Sequence, residues 1–329
     1  MLKKLSTALI KNATEKDDVD AIIFVAVDLI NRIPKEEVTN QEQRVLFATL
    51  NYKAGMFYTQ LLFHFYLILI IILAATKALS VPDFSSASKY SESSLAFLSP
   101  SHWKSHRDLM LSIVRTSVDA LYACSNSNQD LLIERIQIVF ERASTIDEEF
   151  RTRLVWIKLI SVTSLPDAIN ECHILLERLG ESIDSDDVSR DQACSELLRV
   201  KESLLGDNHQ LSTSMTNQTK VKAMKVMLTL HHFYHYQRNY KLVQVCVRMV
   251  EMSLMNGCSP ESYFALASFA SNLIANMADV DIGVSWARMA LSLLSKSPSH
   301  NINPMVPSVI TAVYGFALWW KEPLQGELL

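Results

Sequence analysis

His232–Ile274, HFYHYQRNYKLVQVCVRMVEMSLMNGCSPESYFALASFASNLI, is the stretch whose reading decides the fold. It reads as helix, tight turn, helix, tight turn, helix. Asn239 and Tyr240 stand at the first break. Beyond it, Leu242, Val245, Cys246, Met249, Val250 and Met252 recur at the three-and-four spacing that gives a helix one apolar face. The second break, Asn256 to Glu261, carries full helix punctuation. Gly257 suits a left-handed C′ position, Ser259 a cap, Pro260 the first helical position and Glu261 the positive helix end. Two helices joined in this way form a hairpin, and the remaining chain varies that theme. The expectation is an all-α protein of antiparallel helix-hairpin repeats.

Composition agrees. Only 7 Gly and 9 Pro punctuate 329 residues, which favours long helices joined by short turns. Net charge is −4, leaving no basic field to hold nucleic acid. The five cysteines, Cys124, Cys172, Cys194, Cys246 and Cys258, are scattered without a Cys-x-x-Cys pair. They read as unpaired, mostly buried thiols of a reducing compartment, so a cytoplasmic location is expected. The opening residues, MLKKLSTALIKN, lack the sustained apolar core and cleavage site of a signal peptide.

Five segments follow along the chain. Residues 1–55 hold N-terminal helices, about 2–11 and 15–33, the latter ended by Pro34. Residues 56–75, MFYTQLLFHFYLILIIILAA, form an apolar insertion. Its length matches a bilayer span at about 57–75, but Thr59, Gln60 and His64 dilute it and neither flank is strongly basic. It reads as a spurious insertion, a membrane helix or a buried helix. Residues 76–180 carry helical repeats, with one helix expected over about 102–124 and Gly180 as a stop. Residues 181–219 open with the acidic, Ser-rich ESIDSDDVSRD, expected as a solvated loop or helix start. Residues 220–329 return to repeats and end in an apolar helix. Turns near 82, 126, 164, 238 and 280 are spaced by roughly 44, 38, 74 and 42 residues, which suits a helix-pair solenoid of TPR-like or HEAT-like type.

Chemistry-bearing patterns are sparse. His231 and His235 lie four apart, as a zinc pair on one helix face requires, but no Glu or Cys supports them and their neighbours Phe233, Tyr234 and Tyr236 read as packing. No phosphate-binding loop, kinase catalytic loop or nucleophile elbow occurs. His106-Arg107-Asp108 matches a kinase triplet by letter only. Asp147, Glu148, Glu149, Asp184, Asp186 and Asp187 are expected at helix starts, where they offset the dipole. Trp319 and Trp320 fit a partner contact or the end of the core. Catalytic, cofactor-binding and metal-binding residues are therefore not expected, and cofactors are none. The notable positions are turns and packing sites: Asn239, Tyr240, Gly257, Ser259, Pro260, Glu261, Trp286 and Trp320.

RNYKLVQVCVRMVEMSLMNGCSPESYFALASFASNL, GVSWARMALSLL and FALWWKEPL carry a family resemblance. Earlier segments agree: DDVDAIIFVAVDLINR, ATLNYKAG, DFSSASKYSESSLAFL and SHWKSHRDLMLSIVRTSVDALYACSN. Together they resemble the TPR-like helical region of large signalling proteins that join a serine/threonine kinase-like domain, an AAA-type predicted ATPase and often GAF and histidine-kinase modules. The resemblance implies a non-catalytic scaffold whose partner is a protein, or the kinase and ATPase domains that this chain lacks. It also implies that Ala54-Gly55 continues into Thr76-Lys77-Ala78, so residues 56–75 read as a retained intron. The alternative is a membrane-tethered signalling adaptor with a single pass at about 57–75.

Overall fold

A computed structural model describes residues 84–124, 128–184, 187–204, 213–296 and 306–313, with shorter pieces at 31–32, 38, 44–49, 51 and 211. The helices expected over 2–11 and most of 15–33, the apolar run 56–75, and Trp319 and Trp320 lie outside the described residues. The fold is mostly helical. Among the described residues there is no strand, only an isolated parallel bridge between Ser214 and Cys258. None of the described helices is long and apolar enough to cross a membrane.

The chain divides into two units, residues 1–156 and 157–329. The first contains α1 (Phe84–Phe97), α2 (His102–Ser105), α3 (Arg107–Ala123), α4 (Gln129–Arg142) and most of α5 (Ile146–Ile160). Helix α3 packs on α1, α2 and α4. Phe97 and Ile113 close a core with Phe47 and Ala48, in which the Phe47 and Phe97 rings meet edge to face at 5.8 Å. The single helix expected over 102–124 is broken. His106 leaves the helical region at φ −140°, ψ 45°, and α3 restarts at Arg107. The cause is tertiary. Arg107 reaches the Glu148 carboxylate through both terminal nitrogens, at 2.9 and 2.7 Å, and donates to the Arg142 carbonyl at 2.6 Å. Arg107 holds the Glu148 carboxyl down to about 2, helped by the Ser144 N–H. The H-R-D triplet is thus a helix junction pinned by an arginine.

The second unit contains the end of α5, then α6 (Leu165–Arg178), α7 (Arg190–Leu204), α8 (Gln218–Tyr236), α9 (Lys241–Asn256), α10 (Pro260–Met277), α11 (Val280–Lys296) and α12 (Val306–Ala312). Local chemistry sets the boundaries. Ser164 caps α6, with Pro166 in its first turn, and Gly180 at φ 72° stops it. Ser189 and Gln192 cap each other reciprocally at the start of α7, a capping box readable as S-x-x-Q. Asn217 accepts the Thr219 and Lys220 N–H groups ahead of α8. At the next break the Asn239 side chain accepts the Lys241 N–H at 2.9 Å, while Tyr240 stands at the cap position, 38% exposed.

The 256–261 turn folds largely as its residues suggest, with one correction. Gly257 has φ 85° but ψ 177°, an extended conformation that only glycine adopts readily, instead of the expected left-handed helical cap. Close approach is the reason. The Cys258 N–H donates to the Thr213 carbonyl and the Met215 N–H to the Cys258 carbonyl, and a Cβ on Gly257 would stand 2.8 Å from the Thr213 carbonyl oxygen. Pro260 takes the first turn of α10. The Ser262 hydroxyl accepts the Ser259 N–H at 2.9 Å, and the Ser259 hydroxyl donates to buried Glu261 at 2.8 Å.

Packing runs mainly between helices one or two apart. Helix α8 contacts α6, α9 and α10; α9 contacts α7 and α10; α10 contacts α11 and α12, and also α7. Buried Trp286 of α11 meets Phe269 of α10 edge to face at 5.9 Å. Gly283 lets those helices approach closely, since a Cβ there would collide with Ile274 and stand 2.9 Å from the Ala270 carbonyl oxygen.

The acidic stretch after Gly180 is a loop with Ser182, Asp184, Asp187 and Ser189 exposed, as expected, but its first residue departs from that. The Glu181 side chain is only 1% exposed and is clamped by the Lys220 ammonium and by Arg248 at 2.7 Å. Burial alone would raise its pKa, but hydrogen bonds from Lys220 and Arg248 outweigh that and lower it. Asp187 is fully exposed and, like Asp184, precedes α7 instead of opening it.

Two glycine substitutions separate strain from collision. Gly180→Ala meets open space and should cost about 1 kcal/mol from its positive φ alone. Gly257→Ala adds the Thr213 contact and should cost about 2 kcal/mol or more. Urea midpoints of the two variants check the order; equal losses would contradict it. Glu181→Gln should lower stability by about 1–3 kcal/mol by leaving two cations facing a neutral amide.

Candidate functional site

Within the second unit, α8, α10 and α12 line a groove of about 620 Å³, with Leu242 of α9 at its edge. Helix α8 contributes His231, His232 and His235. Helix α10 contributes Phe264 and a polar row, Ser268, Ser271 and Asn272, at helical spacing. Ala275, Ser308, Thr311 and Ala312 complete the wall.

The floor is buried and the rim exposed. His231, Phe264 and Ser268 are buried, whereas His232, His235, Ala275 and Thr311 are exposed. Phe264 stands edge-on to both His231 and His232, each at 5.3 Å between ring centres. His231 Nε2 and the Ser268 hydroxyl form a hydrogen bond of 2.9 Å, while buried His231 Nδ1 has no partner among the described residues. Burial, reinforced by His232 and His235, pushes the His231 pKa down to about 3. Burial, then His235 and Lys158, lowers that of His232. Both imidazoles are therefore neutral near neutral pH.

This chemistry suits binding better than bond-making. A serine beside a histidine suggests a nucleophile, yet an imidazole with a pKa near 3 is a weak base, and its Nδ1 lacks the carboxylate that orients a catalytic histidine. His231 and His235 share a helix but part in environment, one buried and one exposed. Among the described residues no group of three His, Cys, Asp or Glu side chains is placed to hold a metal ion.

The expected turn and packing positions fall elsewhere. Asn239 and Tyr240, and the row Gly257, Ser259, Pro260 and Glu261, organise the two breaks; Trp286 packs in the core; Trp320 lies outside the described residues. Burial pushes the thiols of Cys172 and Cys246 up to about 12 and that of Cys258 up to about 11, so they are unreactive. Cys124 and Cys194 are partly exposed. Sequence reasoning missed Ser268, Asn272 and Thr311. The signal available was the row Ser268, Ser271 and Asn272, one polar stripe on an otherwise apolar helix.

Acid should weaken the second unit through His231. In the unfolded chain this group gains its proton near its ordinary pKa, about 6.5, but in the fold only near 3. Stability is thus complete above about pH 6.5 and falls by about 1.4 kcal/mol per pH unit below it. His231→Phe should flatten that slope, read from urea midpoints at about pH 7 and about pH 5. An unchanged slope would refute the assignment.

Comparison of the chain with protein-family models, with curated proteins and with solved structures finds no match.

Proposed function

We propose that the chain is a non-catalytic helical-repeat scaffold for protein–protein or interdomain contact, of the kind found in the kinase–ATPase signalling proteins that its sequence resembles. The observation that carries this reading is the packing of α8 to α12. Each helix meets its successor there, and α8 and α10 also meet the helix after next. That pattern is characteristic of helix-pair repeats, in which each unit covers the apolar face of its neighbour. The pattern fails around α7, which packs on α9 and α10 and makes little contact with its neighbours α6 and α8. On this reading the chain is a TPR-like solenoid, and the partner is a protein or the kinase and ATPase domains of the signalling proteins it resembles.

The test mixes the full chain with a separately produced kinase–ATPase portion of a protein carrying the resembling region. Light scattering should detect a complex, and the chain alone should show no ATP turnover. ATPase or kinase activity that tracks with the purified chain would overturn the proposal.

The apolar run Met56–Ala75 favours a second reading, a membrane-tethered adaptor. For the scaffold, a version lacking residues 56–75 should be soluble and fold cooperatively. Retention of the full chain in membranes after a high-salt wash, with folding lost on deletion, would favour the tethered form.

A further inference from the structure

We infer that the groove between α8, α10 and α12 is a binding site for a neutral, largely apolar small molecule carrying a hydrogen-bonding group. This goes beyond the scaffold reading and does not rest on it. The volume, about 620 Å³, lies within the range of roughly 300–1,000 Å³ typical of ligand sites. The lining is small as well. Among the described residues a dozen line it, fewer than the roughly 20–30 per side of a standard protein interface, which argues for a small occupant over a second copy of the chain.

Polarity narrows the chemistry. Phe264 and Leu242 supply apolar wall, while Ser268, Ser271, Asn272 and Thr311 supply hydroxyls and an amide. Among the described residues, no Lys, Arg, Asp or Glu side chain lines the groove. A carboxylate, phosphate or ammonium would enter without a counter-charge and lose its hydration, a large penalty. The helical side-chain bonds are already satisfied locally: Asn272 donates to the Ser268 carbonyl at 2.9 Å and Ser271 to the Ala267 carbonyl at 3.0 Å. Asn272 Oδ1 already accepts from Asn276 Nδ2 at 3.2 Å, which leaves its second lone pair, with the Ser271 hydroxyl oxygen, to receive a donor from the guest. Ser268 is fixed by His231, so the polar end of the groove is held in place.

Phenylnaphthylamine, neutral with one N–H donor, and its sulfonated relative anilinonaphthalene sulfonate form the test pair. Fluorescence titration of the full chain should show saturable, one-to-one binding of the neutral probe, and binding of the anion weaker by at least about tenfold. Ala275→Phe and Thr311→Trp change exposed rim residues and fill the groove from opposite sides. Each should weaken the neutral probe by about tenfold or more while leaving the helical circular dichroism and thermal midpoint unchanged. Three results would overturn the proposal: absence of saturable binding, equal affinity for the anion, or indifference to both substitutions. Sedimentation showing a dimer that the same substitutions dissociate would assign the groove to a second copy and overturn it too.

Discussion

From Ser262 to Met277, α10 carries no charged side chain, and a helix that cannot offer water a solvated face must be enclosed by protein. Five helices, α7, α8, α9, α11 and α12, accordingly pack around it. Small residues make that enclosure possible. Ala265, Ala267 and Ala270 are buried on α10, and Gly283 on α11 brings a neighbour almost to backbone contact. Some polar side chains turn back on their own helix, as Asn276 does to the Asn272 carbonyl, and others meet a neighbour, as Ser268 does His231. The groove lies on a side of α10 where such a polar row meets an apolar wall.

What was legible in the sequence was what local chemistry determines. The 256–261 turn, the Ser164 and Pro166 start of α6 and the Gly180 stop follow from residues within a few positions of one another. The break at His106 was not legible, because Arg107 finds its partners 35 to 41 residues away. Glu181 misleads in the same manner. Its surroundings are acidic and Ser-rich, the signature of a solvated loop, but its cations lie 39 and 67 residues further on. The groove was half readable: helical spacing joined the histidines, whereas Ser268 is 37 residues from His231 and only the fold unites them.

The stretches RNYKLVQVCVRMVEMSLMNGCSPESYFALASFASNL and GVSWARMALSLL build α9, α10 and α11. A repeat scaffold and a small-molecule groove are compatible uses of the same helices. The groove draws its main walls from alternate helices, α8, α10 and α12, and its closure depends on their spacing. A guest seated there would touch all three at once, so its binding would bias how those helices pack.

The Glu181 clamp bears on the order in which the second unit assembles. Contacts between helices one or two apart close short loops and form early, because the entropy of bringing chain ends together grows with the length enclosed. Glu181 must wait for both α8 and α9, since Lys220 belongs to one and Arg248 to the other. A contact made after the main barrier contributes little to the speed of folding and most of its energy to slowing escape from the native state. The clamp is in that sense a latch: it sets how long the finished unit stays folded more than how fast it gets there.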